Sequence, residues 1–101
     1  MKHTKNMIYN QSWRADDLYL FTVNTGYIYR GYTTGIIETL RKHAKRGQYS
    51  PEKAVDMFYT LAGIGNKYYI KEFGGDGFTV TERWTAAVDM ENHYRENIME
   101  G

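Results

Sequence analysis

Read for its hydrophobic and polar positions, the chain divides into four helical stretches behind a short leading segment. Residues 1–11 show no period and are expected to form an N-terminal arm, with Met7, Ile8 and Tyr9 available to dock it. Ser12 has the chemistry of an N-cap, and Asp16 and Asp17 follow in the early turns, where acid complements the helix dipole. Leu18, Phe21, Thr22 and Thr25 then share one face and Tyr19, Val23 and Tyr27 an adjacent one, which predicts a helix over 13–30. Gly26 and the β-branched residues weaken it, so a break is expected near Asn24-Thr25-Gly26.

Thr33 reads as the cap of a second helix, with Ile36, Ile37, Leu40 and Ala44 as its stripe and Gly47 where a left-handed C-terminal cap belongs. Ser50-Pro51-Glu52 combines a cap, a proline at the first helical position and an acid behind it. The third helix carries Ala54, Met57, Phe58, Leu61, Gly65, Tyr68 and Tyr69 inward and is expected to stop after Phe73, at Gly74-Gly75-Asp76-Gly77. Gly63 and Gly65 inside it admit either a close helix approach or a kink. Lys67 to Phe73 has β-formers, but its tyrosines fit the helical stripe. Thr79 and Glu82 have capping-box spacing for a fourth helix, with Trp84, Ala87, Val88, Tyr94 or Arg95, and Ile98 inward. The expectation is one all-α domain, residues 12–101, built as a small bundle of about four helices.

Composition narrows the function more than the fold. The 101 residues suit one core, and the formal net charge is only +1. There is no cysteine, which removes disulfides, thiolate metal sites and cysteine nucleophiles together. No apolar run reaches the length of a membrane span and the first residues hold no signal-like apolar region, so a soluble, cytoplasmic protein is expected. The charge is uneven: residues 1–50 hold eight basic and three acidic side chains, and residues 51–101 hold five and nine. Such a dipole can steer a partner, whereas a dedicated nucleic-acid binder would be basic overall.

Catalytic constellations are absent from the pattern. His3, His43 and His93 lie on separate elements with no pair at metal-binding spacing, and His93 with Glu91, Asn92 and Glu96 reads as a solvated helix face. The glycine-rich stretch at 74–77 lacks the Gly-Lys-Ser/Thr ending of a phosphate loop and reads as a turn. No nucleophile elbow is present. No catalytic residue, cofactor or metal is therefore nominated, and a non-enzymatic protein is expected. Two features remain. Ten tyrosines, four phenylalanines and two tryptophans exceed what a core of this size takes, and surplus tyrosines are typical of interface anchors. The basic run Arg41, Lys42, Lys45 and Arg46 complements the end of its own helix and also offers a surface to an acidic or nucleic-acid partner.

The order Asp17-Leu18-Tyr19-Leu20-Phe21-Thr22-Val23-Asn24-Thr25-Gly26, then Ile28-Tyr29-Arg30, carries a resemblance. It continues through Ile36-Ile37-Glu38-Thr39-Leu40, Gly47-Gln48-Tyr49-Ser50-Pro51-Glu52-Lys53-Ala54, Tyr68 and Lys71-Glu72-Phe73-Gly74. Over residues 15–98 the chain resembles a group of small uncharacterised proteins of tailed bacteriophages and prophages. The resemblance implies a context, expression in the cytoplasm of an infected bacterial cell and an accessory role. It transfers no functional residue.

In that context the expectation is a binding protein that blocks a bacterial host or defence protein, such as a CRISPR effector or defence nuclease. Its nominated partner-binding residues are Tyr27, Tyr29, Arg30 and Tyr32 at the junction of the first two helices, flanked by Arg41, Lys42, Lys45 and Arg46. The alternatives are a nucleic-acid-binding accessory protein using the same cations, and a structural or oligomeric accessory protein that buries the surplus aromatics against itself.

Overall fold

The computed structural model describes the backbone of residues 2–100 and the side chains of residues 13–100. All regular structure among them is helical: α1 Lys2–Asn24, α2 Gly26–Ile28, a π-helical turn at Tyr29–Thr33, α3 Thr34–Lys45, α4 Pro51–Phe73 and α5 Val80–Glu100. Because α2, the π-turn and α3 follow without a loop, the molecule is an all-α bundle of four helical rods.

The local signals explain most of the boundaries. Ser50 Oγ accepts a hydrogen bond from the Lys53 N–H, with Pro51 behind it at the first helical position. Gly47 takes φ +69° while its N–H reaches the Ala44 carbonyl and the Gln48 N–H reaches that of His43, the paired bonds of a Schellman stop. At the other turn Gly74, Gly75 and Gly77 all have positive φ, so the glycine-rich stretch is a helix connection. Thr79 and Glu82 form the reciprocal capping box: Thr79 N–H donates to Glu82 Oε1 at 2.8 Å, and Glu82 N–H to Thr79 Oγ1 at 3.1 Å.

Three expectations are corrected. α1 begins at Lys2, so the backbone expected as an arm continues the first helix and Ser12 lies inside it instead of capping it. No proline or glycine interrupts residues 2–12; the docking of Met7, Ile8 and Tyr9 lies outside the described side chains. Thr33 is not a cap either. It is buried with helical φ and ψ, and its hydroxyl donates to the Ile28 carbonyl at 3.5 Å. On α5 the buried stripe is Ala86, Ala87, Met90, Glu91, Tyr94 and Ile98, leaving Trp84 and Val88 exposed and Arg95 outward. Two alanines, not the largest apolar residues, mark the packed face, because small side chains let neighbouring helices approach.

α5 is the hub, packed against α1, α3 and α4. Leu18, Ile28, Leu40, Phe58, Leu61, Met90 and Ile98 are almost wholly buried. Each large apolar side chain so removed from water contributes on the order of 2 kcal/mol. The Phe58 ring stacks on Tyr94 with centroids 5.7 Å apart. α1 approaches α4 closely at Gly65, where a methyl would overlap Thr22 Oγ1; nothing lies within 4 Å of the equivalent point at Gly63. The two interior glycines of α4 thus differ. Gly65 is the contact point. No described helix is long and apolar enough to cross a membrane.

Candidate functional site

The nominated tyrosines lie where α1 gives way to the second rod. Thr25 leaves the helical region (φ −90°, ψ 111°), and its hydroxyl donates to the Phe21 carbonyl at 2.5 Å, ending α1. Helix resumes at once, with the Tyr29 N–H on the Thr25 carbonyl at 3.0 Å. It then widens: the Thr34 N–H reaches back to the Tyr29 carbonyl, five residues away. A π-turn accommodates one more residue than an α-turn. Here that residue lets Ile28 and Thr33, five apart, both face the core. Everything between them is exposed: Tyr29, Arg30, Gly31 and Tyr32, with Tyr27 just before.

Each tyrosine is held differently. The Tyr27 ring meets Tyr68 of α4 edge-on at 5.2 Å. The Tyr68 hydroxyl beside Tyr32 raises the Tyr32 phenol pKa, and Lys67 nearby opposes the shift. Tyr29 sits on the other flank, close enough to Tyr94 of α5 to influence its ionisation. The Tyr94 phenol is pushed up to about 12, by burial first and then by Tyr29 and Tyr19. Tyr27 and Tyr32 therefore flank α4, and Tyr29 faces α5. They keep 47%, 41% and 39% of their surface exposed, respectively.

The cations lie farther along the same rod. Arg41 is nine residues beyond Tyr32, roughly 14 Å of helical rise, and Arg46 is at the far end. Arg41 Nε donates to the Asn97 carbonyl at 3.3 Å, fixing the cation against α5. Lys42 lies 3.8 Å from Glu38 in an exposed pair, worth well under 1 kcal/mol. Lys45 and Arg46 project from the last turn of α3. The eight nominated residues thus share one rod but occupy two regions of it, aromatic at the start and cationic at the end.

His93 is exposed, as its neighbours imply, and its Nδ1 and the Tyr19 hydroxyl share a hydrogen bond of 2.8 Å. Glu91 departs from the solvated-face reading: it is 1% exposed and paired with Tyr49 and Arg95. Periodicity could have found it, since Glu91 follows Ala87 by four residues on the buried stripe. Among the described residues no three His, Asp or Glu side chains gather as a metal site. Comparison with protein-family models, curated proteins and solved structures finds no match to the chain.

Proposed function

We propose that this protein acts by stoichiometric binding to another protein, as a phage-encoded inhibitor of a bacterial host or defence protein such as a CRISPR effector or defence nuclease. The observation that carries the binding reading is the π-turn. The turn carries Tyr29 and Tyr32, with Tyr27 just before it and packed on Tyr68 of α4, and leaves more than a third of each tyrosine exposed. Pre-ordered aromatic side chains lose little entropy on docking, which is why tyrosine is enriched among interface anchors. The cations at the end of α3 steer an acidic partner toward the same rod. The phage context rests on the resemblance over residues 15–98.

Capture of the tagged protein from bacterial lysate, with and without nuclease, tests the reading. One protein retained at stoichiometric yield in both lanes is expected, with affinity reduced at least tenfold by Tyr29→Ala/Tyr32→Ala while helical circular dichroism is retained. Loss of the helical signal would instead make these tyrosines part of the core.

The exposure of Lys42, Lys45 and Arg46 supports a second reading, nucleic-acid binding by the α3 cations. Counterion release then predicts a steep loss of affinity between roughly 50 and 200 mM salt, and recovery that disappears with nuclease.

A further inference from the structure

On another side of the molecule, α4 and α5 leave an open groove of about 430 Å³ between them. Among the described residues none of α1 or α3 lines it. One wall is Pro51, Glu52, Val55 and Asp56 from the first turns of α4; the other is Trp84, Val88, Glu91, Asn92 and Arg95 from α5. The helices run antiparallel here, as the Tyr49–Glu91 hydrogen bond at one end and the Tyr59–Trp84 stack at the other require.

Three properties define what fits. Trp84, Val88, Glu91 and Arg95 repeat at four, three and four residues, the spacing with which one helix receives another. From Trp84 to Arg95 the wall rises roughly 16 Å, about three helical turns. The floor is apolar and open to solvent: Val88 is 45% exposed, and Trp84 is 38% exposed although its ring stacks on Tyr59 at 4.1 Å.

Charge then selects the occupant. Three carboxylates line the groove against one guanidinium, and Arg95 is already committed to buried Glu91. Glu52 and Asp56 are exposed on the rim, and neither is paired with a cation among the described residues.

We propose that this groove binds a cationic amphipathic helix of about three turns from a partner protein, with apolar residues on Val55, Trp84 and Val88 and Lys or Arg beside Glu52 and Asp56. The surface is separate from the junction tyrosines and opposite in charge to the α3 cations, so it stands whether or not the junction binds.

Trp84 reports occupancy directly. In a Trp13→Phe background it is the sole tryptophan, and its fluorescence is titrated with synthetic peptides of about fourteen residues. One is a Leu/Lys helix with leucines at i, i+3, i+4 and i+7; the second has Glu for Lys; the third scrambles the first. Saturable binding of the Leu/Lys helix is expected, with the Leu/Glu and scrambled peptides at least tenfold weaker. Glu52→Gln/Asp56→Asn should weaken the Leu/Lys complex at least fivefold, and Val88→Asp should abolish it while circular dichroism is unchanged. Equal binding of the Leu/Lys and Leu/Glu helices, or of the scramble, would overturn the proposal, as would indifference to the rim substitutions. Sedimentation of the peptide-free protein as a dimer that Val88→Asp dissociates would also overturn it, because the occupant would be a second copy.

Discussion

The Tyr49 hydroxyl donates a 2.6 Å hydrogen bond to Glu91 Oε2, joining the α3–α4 connection to the middle of α5. The same carboxylate receives Arg95 through two nitrogens, so a side chain 1% exposed has both oxygens satisfied. Burial alone would raise the Glu91 pKa; the hydrogen bonds from Arg95 and Tyr49 and the Arg95 charge outweigh it, and the pKa falls below the usual glutamate value. Tyr49→Phe removes one bond to a charged group and should cost about 1–2 kcal/mol, read as a lower urea midpoint at unchanged slope.

The same shift sets a pH dependence. A carboxyl with a depressed folded-state pKa stabilises the protein above its unfolded value, near 4.5, and the benefit is lost as pH falls through the folded value. Glu91→Gln should therefore lower stability at pH 7 and flatten its decline below pH 4.5. Asp89 has the opposite sign: burial, then the Asp16 charge, raises its pKa. Asp89→Asn should gain stability at pH 7 and lose that gain as pH drops below the carboxylate range. Urea titrations at several pH values check both signs.

The two glycines inside α4 predict opposite outcomes. Gly63→Ala meets open space and should stabilise by up to about 1 kcal/mol through helix propensity. Gly65→Ala drives a methyl into Thr22 Oγ1, whose side chain is buried and bonded to the Leu18 carbonyl. Overpacking of this kind costs about 1–3 kcal/mol, and adding Thr22→Ala should recover much of it. Thermal unfolding of the three variants separates the cases.

At the start of α5, Thr79→Ala removes one half of the capping box and should cost about 1 kcal/mol. Glu82→Ala should cost more, because Glu82 also holds Arg14 of α1 at 2.8 Å while Arg14 reaches the Gly77 carbonyl. Denaturant titration of the single variants and of Arg14→Ala/Glu82→Ala gives the coupling between the helices.

Deleting Gly31 tests the π-turn. Ile28, Thr33, Ile37 and Leu40 are all buried, at successive steps of five, four and three residues. Removing one residue from the first step turns it into an α-helical repeat with the core register intact. The variant should remain helical with a melting temperature equal to or above the parent's. If the proposed partner site is correct, binding through Tyr29 and Tyr32 should fall, because the exposed span between Ile28 and Thr33 changes shape.

How much of this was legible in the sequence follows from the range over which each signal acts. Helix ends at Gly47, Ser50, Gly74 and Thr79 were readable because caps and positive-φ glycines work within a few residues, and so the four-rod, all-α architecture followed. The break at Thr25 was readable from the low helix propensity of Gly26 and the β-branched residues near it, which is also a local property. The π-turn left a trace, the five-residue step from Ile28 to Thr33, but an interrupted period looks like a helix start, and Thr33 reads as a cap until its burial is known. On α5, Trp84 and Val88 have the hydrophobicity of core residues and Glu91 the charge of a surface one. Their exchange of roles was decided by α1 and α4, which pack against the alanine stripe, and by Tyr49 and Arg95, which neutralise the buried carboxylate. Local chemistry acts through the backbone of its own turn, whereas the exposed faces of the junction and the α4–α5 groove are set by whichever surfaces the other helices leave uncovered.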